Sequence, residues 1–280
     1  AGVLNIFYVL IMPSLSVTTI QTHLQWEDKF ANLRMLKEKI IAIPLPTEVV
    51  ILPEMFSTGF SMHPQALAEK MDGDTVAWMK AKKKKKKIIL TGSVIIEENG
   101  QYFNRLIWML PDGNYGYYDK RHLFGYASED ERYTAGKKRV IASVKGWKIN
   151  LQVCYDLRFP VWVRQKNYPR QDGATTLPEY DLIIYVANWP ESRNHAWKTL
   201  LHARAIENQC YVAGVNRVGN DGNGIYHSGD SMIIDPLGET LYAQAHKEDV
   251  FTTVLQKEKL EVVRKQFPFL KDADRFLIDP

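Results

Sequence analysis

The chain is poor in cysteine, and the two it has, Cys154 and Cys210, stand in unrelated sequence settings. Neither a disulfide framework nor a cysteine-rich metal centre can be built from them, which makes a reducing cytoplasm the expected compartment. Histidines are scattered, with no His-x-x-x-His or Cys-x-x-Cys grouping, so no catalytic metal is expected. Nor does a glycine-rich loop follow a strand to cradle a phosphate, so no cofactor is expected. The apolar stretch Val3 to Met12 is too short for a membrane span, has no basic residue before it and lacks a small-residue cleavage site. It reads as a non-native leader or a loosely packed extra strand, with regular patterning from Ser16. The expected organisation is a leader over residues 1–15 and a single domain over 16–280. A net basic face is missing as well. The formal charge of +4 turns to −2 once the six lysines of Lys82 to Lys87 are set aside, so the excess is local and excludes nucleic acid as an expected partner. That run reads as a solvated helix end or loop. Membranes are likewise not expected as partners.

What is present is ordinary globular composition, 45% hydrophobic and 24% charged, over a length that supports a sizeable core. Short β-rich runs alternate with helical stretches. Strands are expected at Val17 to Leu24, Val49 to Leu52, Ile88 to Ile96, Tyr102 to Leu110 and Tyr115 to Tyr118, the last two joined by the turn Pro111-Asp112-Gly113-Asn114. Further strands are expected at Arg139 to Val144, Trp147 to Val153, Leu182 to Ala187, Tyr211 to Val215, Ser231 to Ile234 and Val250 to Leu255. Helical spacing marks Asp28 to Ile41 through Phe30, Leu33, Leu36 and Ile40. It also marks a segment capped by Asp74, one from about Val161, Asn194 to Asn208, and Lys257 to Gln266. Val49 to Leu52 and Leu182 to Val186 are apolar on both faces of a strand, which points to a layered α/β fold.

Ligands in such folds collect beyond the carboxyl ends of buried strands. That rule selects Glu54, Cys154, Asn188 and Trp189, each after a strand, together with Lys120, which follows Tyr115 to Tyr118. A thiol needs a neighbouring base or a positive environment to act as a nucleophile. Glu54 fits as the base and Lys120 as the cation. Lys120 and the amide of Tyr155 would meet the oxyanion formed when Cys154 attacks an acyl carbon. Loss of ammonia leaves a thioester, and Glu54 then activates the water that cleaves it. Each residue also has a plainer reading: Cys154 as a small core residue, Glu54 as a helix-cap partner, Lys120 as an exposed hairpin lysine. Spacing alone does not decide between them.

Leu52-Pro53-Glu54-Met55-Phe56, Tyr118-Asp119-Lys120-Arg121-His122-Leu123-Phe124 and Gln152-Val153-Cys154-Tyr155-Asp156-Leu157-Arg158-Phe159-Pro160 together resemble the nitrilase (carbon-nitrogen hydrolase) superfamily. The resemblance continues through Val186 to Pro190, Arg204 to Gln209 and Ser228 to Gly238, and so covers about residues 16 to 265. It implies a four-layer α-β-β-α sandwich and a triad of Glu54, Lys120 and Cys154. A second glutamate, Glu129 with Glu131 as the alternative, would orient Lys120 and the incoming amide. The phrases around Cys154 and Asn188-Trp189-Pro190 look most like the ω-amidase branch, which hydrolyses the terminal amide of 2-oxoglutaramate and 2-oxosuccinamate. On that resemblance Arg158 either binds the remote carboxylate or pairs with Asp156 or another acid. Phe60, Tyr155 and Trp189 would wall the acyl chain, with Asn188 beside them. Family members associate through the helix after the nucleophile and a later one, so Phe159 to Gln165 and Trp197 to Asn208 are the expected faces of a homodimer or higher homo-oligomer. The alternatives carried forward are an N-carbamoyl amine or amino-acid amidohydrolase, a nitrile hydrolase, and a non-catalytic interaction protein on the same fold.

Overall fold

Successive strand residues point to opposite faces, and in β2 (Val49–Ile51) both faces are buried. Val49 and Ile51 join an apolar cluster that runs between two sheets, while Val50 joins a second one packed under helices. The split recurs in β4 (Gln101–Met109): Leu106 and Trp108 face the other sheet, Ile107 and Met109 the helices. The computed structural model, which describes residues 13–165, 167–169, 176–274 and 276–278, therefore has the four layers α-β-β-α.

The first sheet contains these two strands with Ser14–Gln21 (β1), Ile89–Glu98 (β3), Tyr115–Asp119 (β5) and Asp249–Gln256 (β15), in the order β15-β1-β2-β3-β4-β5. The second is built from Ile141–Val144 (β6), Trp147–Val153 (β7), Leu182–Ala187 (β10), Tyr211–Asn216 (β11), Val218–Asn220 (β12), Tyr226–Ile234 (β13) and Thr240–Ala245 (β14). Its order is β12-β13-β11-β10-β7-β6, with β14 also on β13. A two-stranded ribbon, Asn167–Pro169 (β8) with Thr176–Pro178 (β9), stands apart.

Helices Lys29–Ile41 (α1) and Asp74–Lys86 (α3) cover the first sheet with Leu33, Leu36, Ile40, Val76 and Met79. Asn194–Asn208 (α6) covers the second with Trp197, Leu201 and Ala205. It lies so close to β11 that a Cβ on Gly214 would stand 2.6 Å from the Leu201 side chain, and a glycine is needed there for the contact. Pro64–Leu67 (α2), Glu129–Arg132 (α4), Pro160–Val163 (α5) and Lys257–Gln266 (α7) complete the helices. Among the described residues no helix is long and apolar enough to cross a membrane.

β7, β10, α6 and α7 have the bounds expected from sequence. The differences have local causes. β1 runs from Ser14, two residues before the expected start of regular structure, because Ser14 and Leu15 pair with Gln256 and Leu255 and Leu15 is fully buried. The stretch Val3 to Met12 lies outside the described residues. Phe30, expected on the buried stripe of α1, is 67% exposed. The stripe is rotated onto Asn32, whose side-chain amide donates to the carbonyls of Gln25 and Ser57. The helix expected from Val161 is one turn, α5, preceded by a 3-10 turn over Cys154–Arg158. Strands β12 and β14 have no counterpart in the sequence reading, and β14 lies at a sheet margin with none of its residues buried. Lys82 to Lys86 form the end of α3.

Candidate active site

Four strands end at one place. Glu54 follows β2, Lys120 follows β5, Cys154 follows β7 and Asn188 follows β10. Glu54, Lys120 and Glu129 are buried, and Cys154 is only 8% exposed. The Lys120 Nζ donates to Glu54 Oε1 at 3.0 Å and to both oxygens of Glu129, at 3.0 and 2.8 Å. Glu129 opens α4, and its Oε2 also accepts from the amide of Phe124 at 2.6 Å. Glu131 is exposed and stands outside this cluster. The Lys120 segment is held from behind by Gly136, whose amide donates to the Lys120 carbonyl at 2.9 Å. A Cβ on Gly136 would lie 2.0 Å from the carbonyl oxygen of Asp119, so no larger residue fits.

A residue absent from the sequence reading bridges the two carboxylates. Asn104 Nδ2 donates to Glu54 Oε1 at 2.8 Å and to Glu129 Oε1 at 3.1 Å. The register of the hairpin puts it there. Met109 pairs with Tyr115 and Leu106 with Tyr118, so continuing back along both strands sets Asn104 opposite Lys120, whose amide donates to the Asn104 carbonyl.

The electrostatics follow from burial. Desolvation alone would lower the Lys120 pKa, but the carboxylates of Glu129 and Glu54 hold it above the ordinary lysine value. Burial raises the pKa of Glu129, against the pull of Lys120 and with the repulsion of Glu54. Burial also pushes the Cys154 thiol well above its ordinary value, an effect that Glu54 strengthens and Lys120 opposes. The resting thiol is therefore protonated at neutral pH, and to act as a nucleophile it would need a base to take its proton.

Cys154 has φ 44°, in the left-handed region, which costs roughly 1–3 kcal/mol for a residue with a side chain and persists only where its surroundings fix it. Asp156, two residues on, supplies the fixing. Its carboxylate accepts from the Val153 amide at 3.0 Å, the Tyr118 hydroxyl at 2.8 Å and the His122 amide at 3.0 Å, and the His122 Nδ1 is 2.8 Å away. One buried carboxylate thus ties the turn that carries Cys154 to the segment that carries Lys120, across the two sheets. The pairing of Arg158 with Asp156 weighed from sequence does not occur, because these donors fill the carboxylate.

Lys120 and Cys154 line a pocket of about 320 Å³, with Glu54 and Glu129 held on Lys120 outside its lining. Phe60, Tyr155, Trp189, Asn188 and Arg158, the residues expected to contact substrate, all line it, as do Phe124, Arg193 and His227. Phe60 lies 5.1 Å from the Lys120 Nζ, and the Arg158 guanidinium is 5.0 Å from the Trp189 ring. Asn188 is tied to the acid: its amide donates to Glu54 Oε2 at 2.8 Å and its Nδ2 to the Glu54 carbonyl at 2.6 Å, while its Oδ1 has no partner among the described residues. Burial, with the nearby charge of Arg217, pushes His227 down to about 4, so it is a neutral imidazole near pH 7.

Comparisons with known proteins give the family. The carbon-nitrogen hydrolase family pattern matches residues 16–265. The chain is 44% identical to "Omega-amidase YafV" of Escherichia coli K12, over 95% of this chain and 99% of the relative. It is 32% identical to the "2-oxoglutaramate amidase" of Bacillus subtilis, over 82% of this chain and 86% of that one. Among solved structures it matches XC1258 from Xanthomonas campestris, a CN-hydrolase superfamily protein with an arsenic adduct in its active site, with TM-score 0.89, 44% identity and coverage of 96% and 100%.

Proposed function

Because the chain belongs to the carbon-nitrogen hydrolase family, we propose that it is an ω-amidase, freeing ammonia from the terminal amide of a small amide whose other end is a carboxylate. It is a hydrolase acting on amides, and relatives of that specificity cover nearly the whole chain. The observation that carries the site assignment is the buried set Glu54–Lys120–Glu129 beside Cys154 at one pocket. In this reading residues 16–280 form one catalytic domain in the cytoplasm, where the thiol stays reduced.

Glu54 takes the thiol proton as Sγ attacks the amide carbon. The oxyanion is met by the Lys120 ammonium, whose remaining donor is free if the two Glu129 contacts share one hydrogen, and by the Tyr155 amide. The unpartnered Oδ1 of Asn188 accepts from the substrate's NH2 group and orients it. The C–N bond breaks as Glu54 returns its proton to the nitrogen, leaving ammonia and a thioester. Glu54 then deprotonates a water that attacks the thioester carbon, and the proton passes to the departing thiolate. Glu129 holds Lys120 in place throughout. Arg158 offers the remote carboxylate a charge-assisted hydrogen bond, and Phe60, Tyr155 and Trp189 pack against the chain between.

Coupled ammonia release over 2-oxoglutaramate, 2-oxosuccinamate, glutamine, asparagine and carbamoyl-β-alanine tests this. The keto amides should exceed glutamine and asparagine in kcat/KM by at least about tenfold, the scale of one charge-assisted contact, because the amino acids place an ammonium near Arg158 where the keto amides place a carbonyl acceptor. Release of carbon dioxide with ammonia from the carbamoyl compound as the best substrate would favour the N-carbamoyl reaction instead.

The reading includes a homodimer through α5 and α6. Val161 and Ile206 are apolar yet 56% and 54% exposed on these helices, whereas Trp162, Val163 and Trp197 turn inward. Light scattering after gel filtration should give about twice the chain mass of 32.3 kDa. A monomer at micromolar concentration would refute the association.

A further inference from the structure

Four arginines elsewhere in the fold meet acids, while Arg121 and Arg217 spend their guanidiniums on backbone carbonyls. Arg105 pairs with Asp119 and Glu98, Arg139 with Glu179, Arg204 with Glu207 and Arg264 with Asp181. Two arginines on the pocket wall do not. Arg158 and Arg193 line the cavity, and neither has a carboxylate partner among the described residues. Lys120, the remaining cation of the wall, is committed to Glu54 and Glu129. The acid of the wall, Asp221, spends its Oδ1 on the amides of Asn223 and Ile225 within its own turn.

Arg193 is also held in a way that suits a ligand. Its carbonyl accepts from the Trp189 indole at 2.8 Å, which fixes the backbone at the exit of β10. Its guanidinium stands 5.2 Å from the Phe124 ring and 6.0 Å from Tyr126. Rings orient a guanidinium through its face and leave the N–H fork along its edge free. Phe124 is the residue whose amide holds Glu129, so the same segment supports the glutamate that positions Lys120 and this cation.

We propose that Arg193 is a specificity-determining residue of this pocket. It binds the substrate carboxylate remote from the scissile amide, jointly with Arg158. Two guanidiniums match an anion with more acceptors than one fork can satisfy, as in a 2-oxo acid with its carboxylate and adjacent carbonyl. The inference rests on the amidase reading of the pocket and adds to it which residue selects the anionic end.

Succinamate and butyramide test it, since they have the same chain length and differ in carrying a carboxylate or a methyl group. The readout is the ratio of their kcat/KM values. Arg193→Gln should lower that ratio by about 30-fold, the scale of a lost charge-assisted pair, through KM for succinamate. Arg193→Lys, which keeps the charge without the fork, should fall between the two. Loss of activity on both amides by the same factor would overturn the proposal and make Arg193 a support for Phe124. A ratio kept within about threefold in Arg193→Gln while Arg158→Gln collapses it would overturn it as well, leaving the amidase reading intact. Wild-type enzyme with no preference for succinamate would overturn both, and that result is visible before any variant is made.

Discussion

Cys154→Ala is expected to lower ammonia release by roughly 10⁴-fold or more, the scale seen when a nucleophile is removed from a unit that works together, with the fold retained. In the proposed mechanism the thiol is the one group of the cluster that bonds to substrate, and neither Glu54 nor Lys120 can replace it in forming a thioester. Stability should change little. The substitution removes one buried sulfur, a loss of about 1 kcal/mol, and the left-handed backbone at this position is fixed by the Asp156 hydrogen bonds, which do not involve the side chain of Cys154. Ammonia release and the melting temperature, measured on the same preparation, separate the two effects. Turnover near the wild-type rate in this variant would sink the covalent mechanism, and with it the assignment of the cluster.

The positions of the reactive side chains were legible because a strand's end is marked by the end of its apolar run. Glu54, Lys120, Cys154 and Asn188 each stand at such an end; the last three line one pocket, and Glu54 accepts from Lys120 and Asn188 behind it. Asn104 was legible in principle. The turn at Pro111 to Asn114 fixes the hairpin register, and counting back along it sets Asn104 opposite Lys120. Strand alternation says that such a residue faces the site, but not that it bridges two carboxylates, since that needs the other sheet in place. Glu129 and Glu131 could not be separated by pattern, because both lie in one short acidic turn; tertiary packing buries the first and leaves the second in water. Phe30 shows the opposite failure. A phenylalanine at helical spacing reads as core, yet Asn32 has three hydrogen-bond partners to satisfy in the interior, and its burial turns Phe30 outward. Arg158 and Arg193 lie 35 positions apart, and only the folded pocket shows that they share a wall.

Lys120→Met should both abolish turnover and destabilise the protein, by about 3–5 kcal/mol, the range for removing one partner from a buried charge pair. Methionine fills a similar volume, so the loss is electrostatic. Glu54 and Glu129, both fully buried, would face each other with the Asn104 amide between them and no cation. Repulsion and desolvation both favour the protonated acid, so one of the two carboxyls should hold a proton in the folded variant well above its unfolded pKa of about 4.3. Above that value the folded state then binds more protons than the unfolded state, and stability falls as pH rises until the folded pKa is passed. The wild-type contribution has a different window. Lys120 is raised above the ordinary lysine value, so its stabilisation is fully present below about pH 10.4 and is lost only as pH climbs through the folded pKa. The gap in melting temperature between wild type and variant should therefore widen from pH 5 to pH 8. Activity does not recover at low pH, because the protonated carboxyl replaces neither the oxyanion donor nor the base. Thermal melts of both proteins across that range decide the matter. A variant as stable as wild type, with a gap that does not change with pH, would show that the three charges do not share one desolvated site.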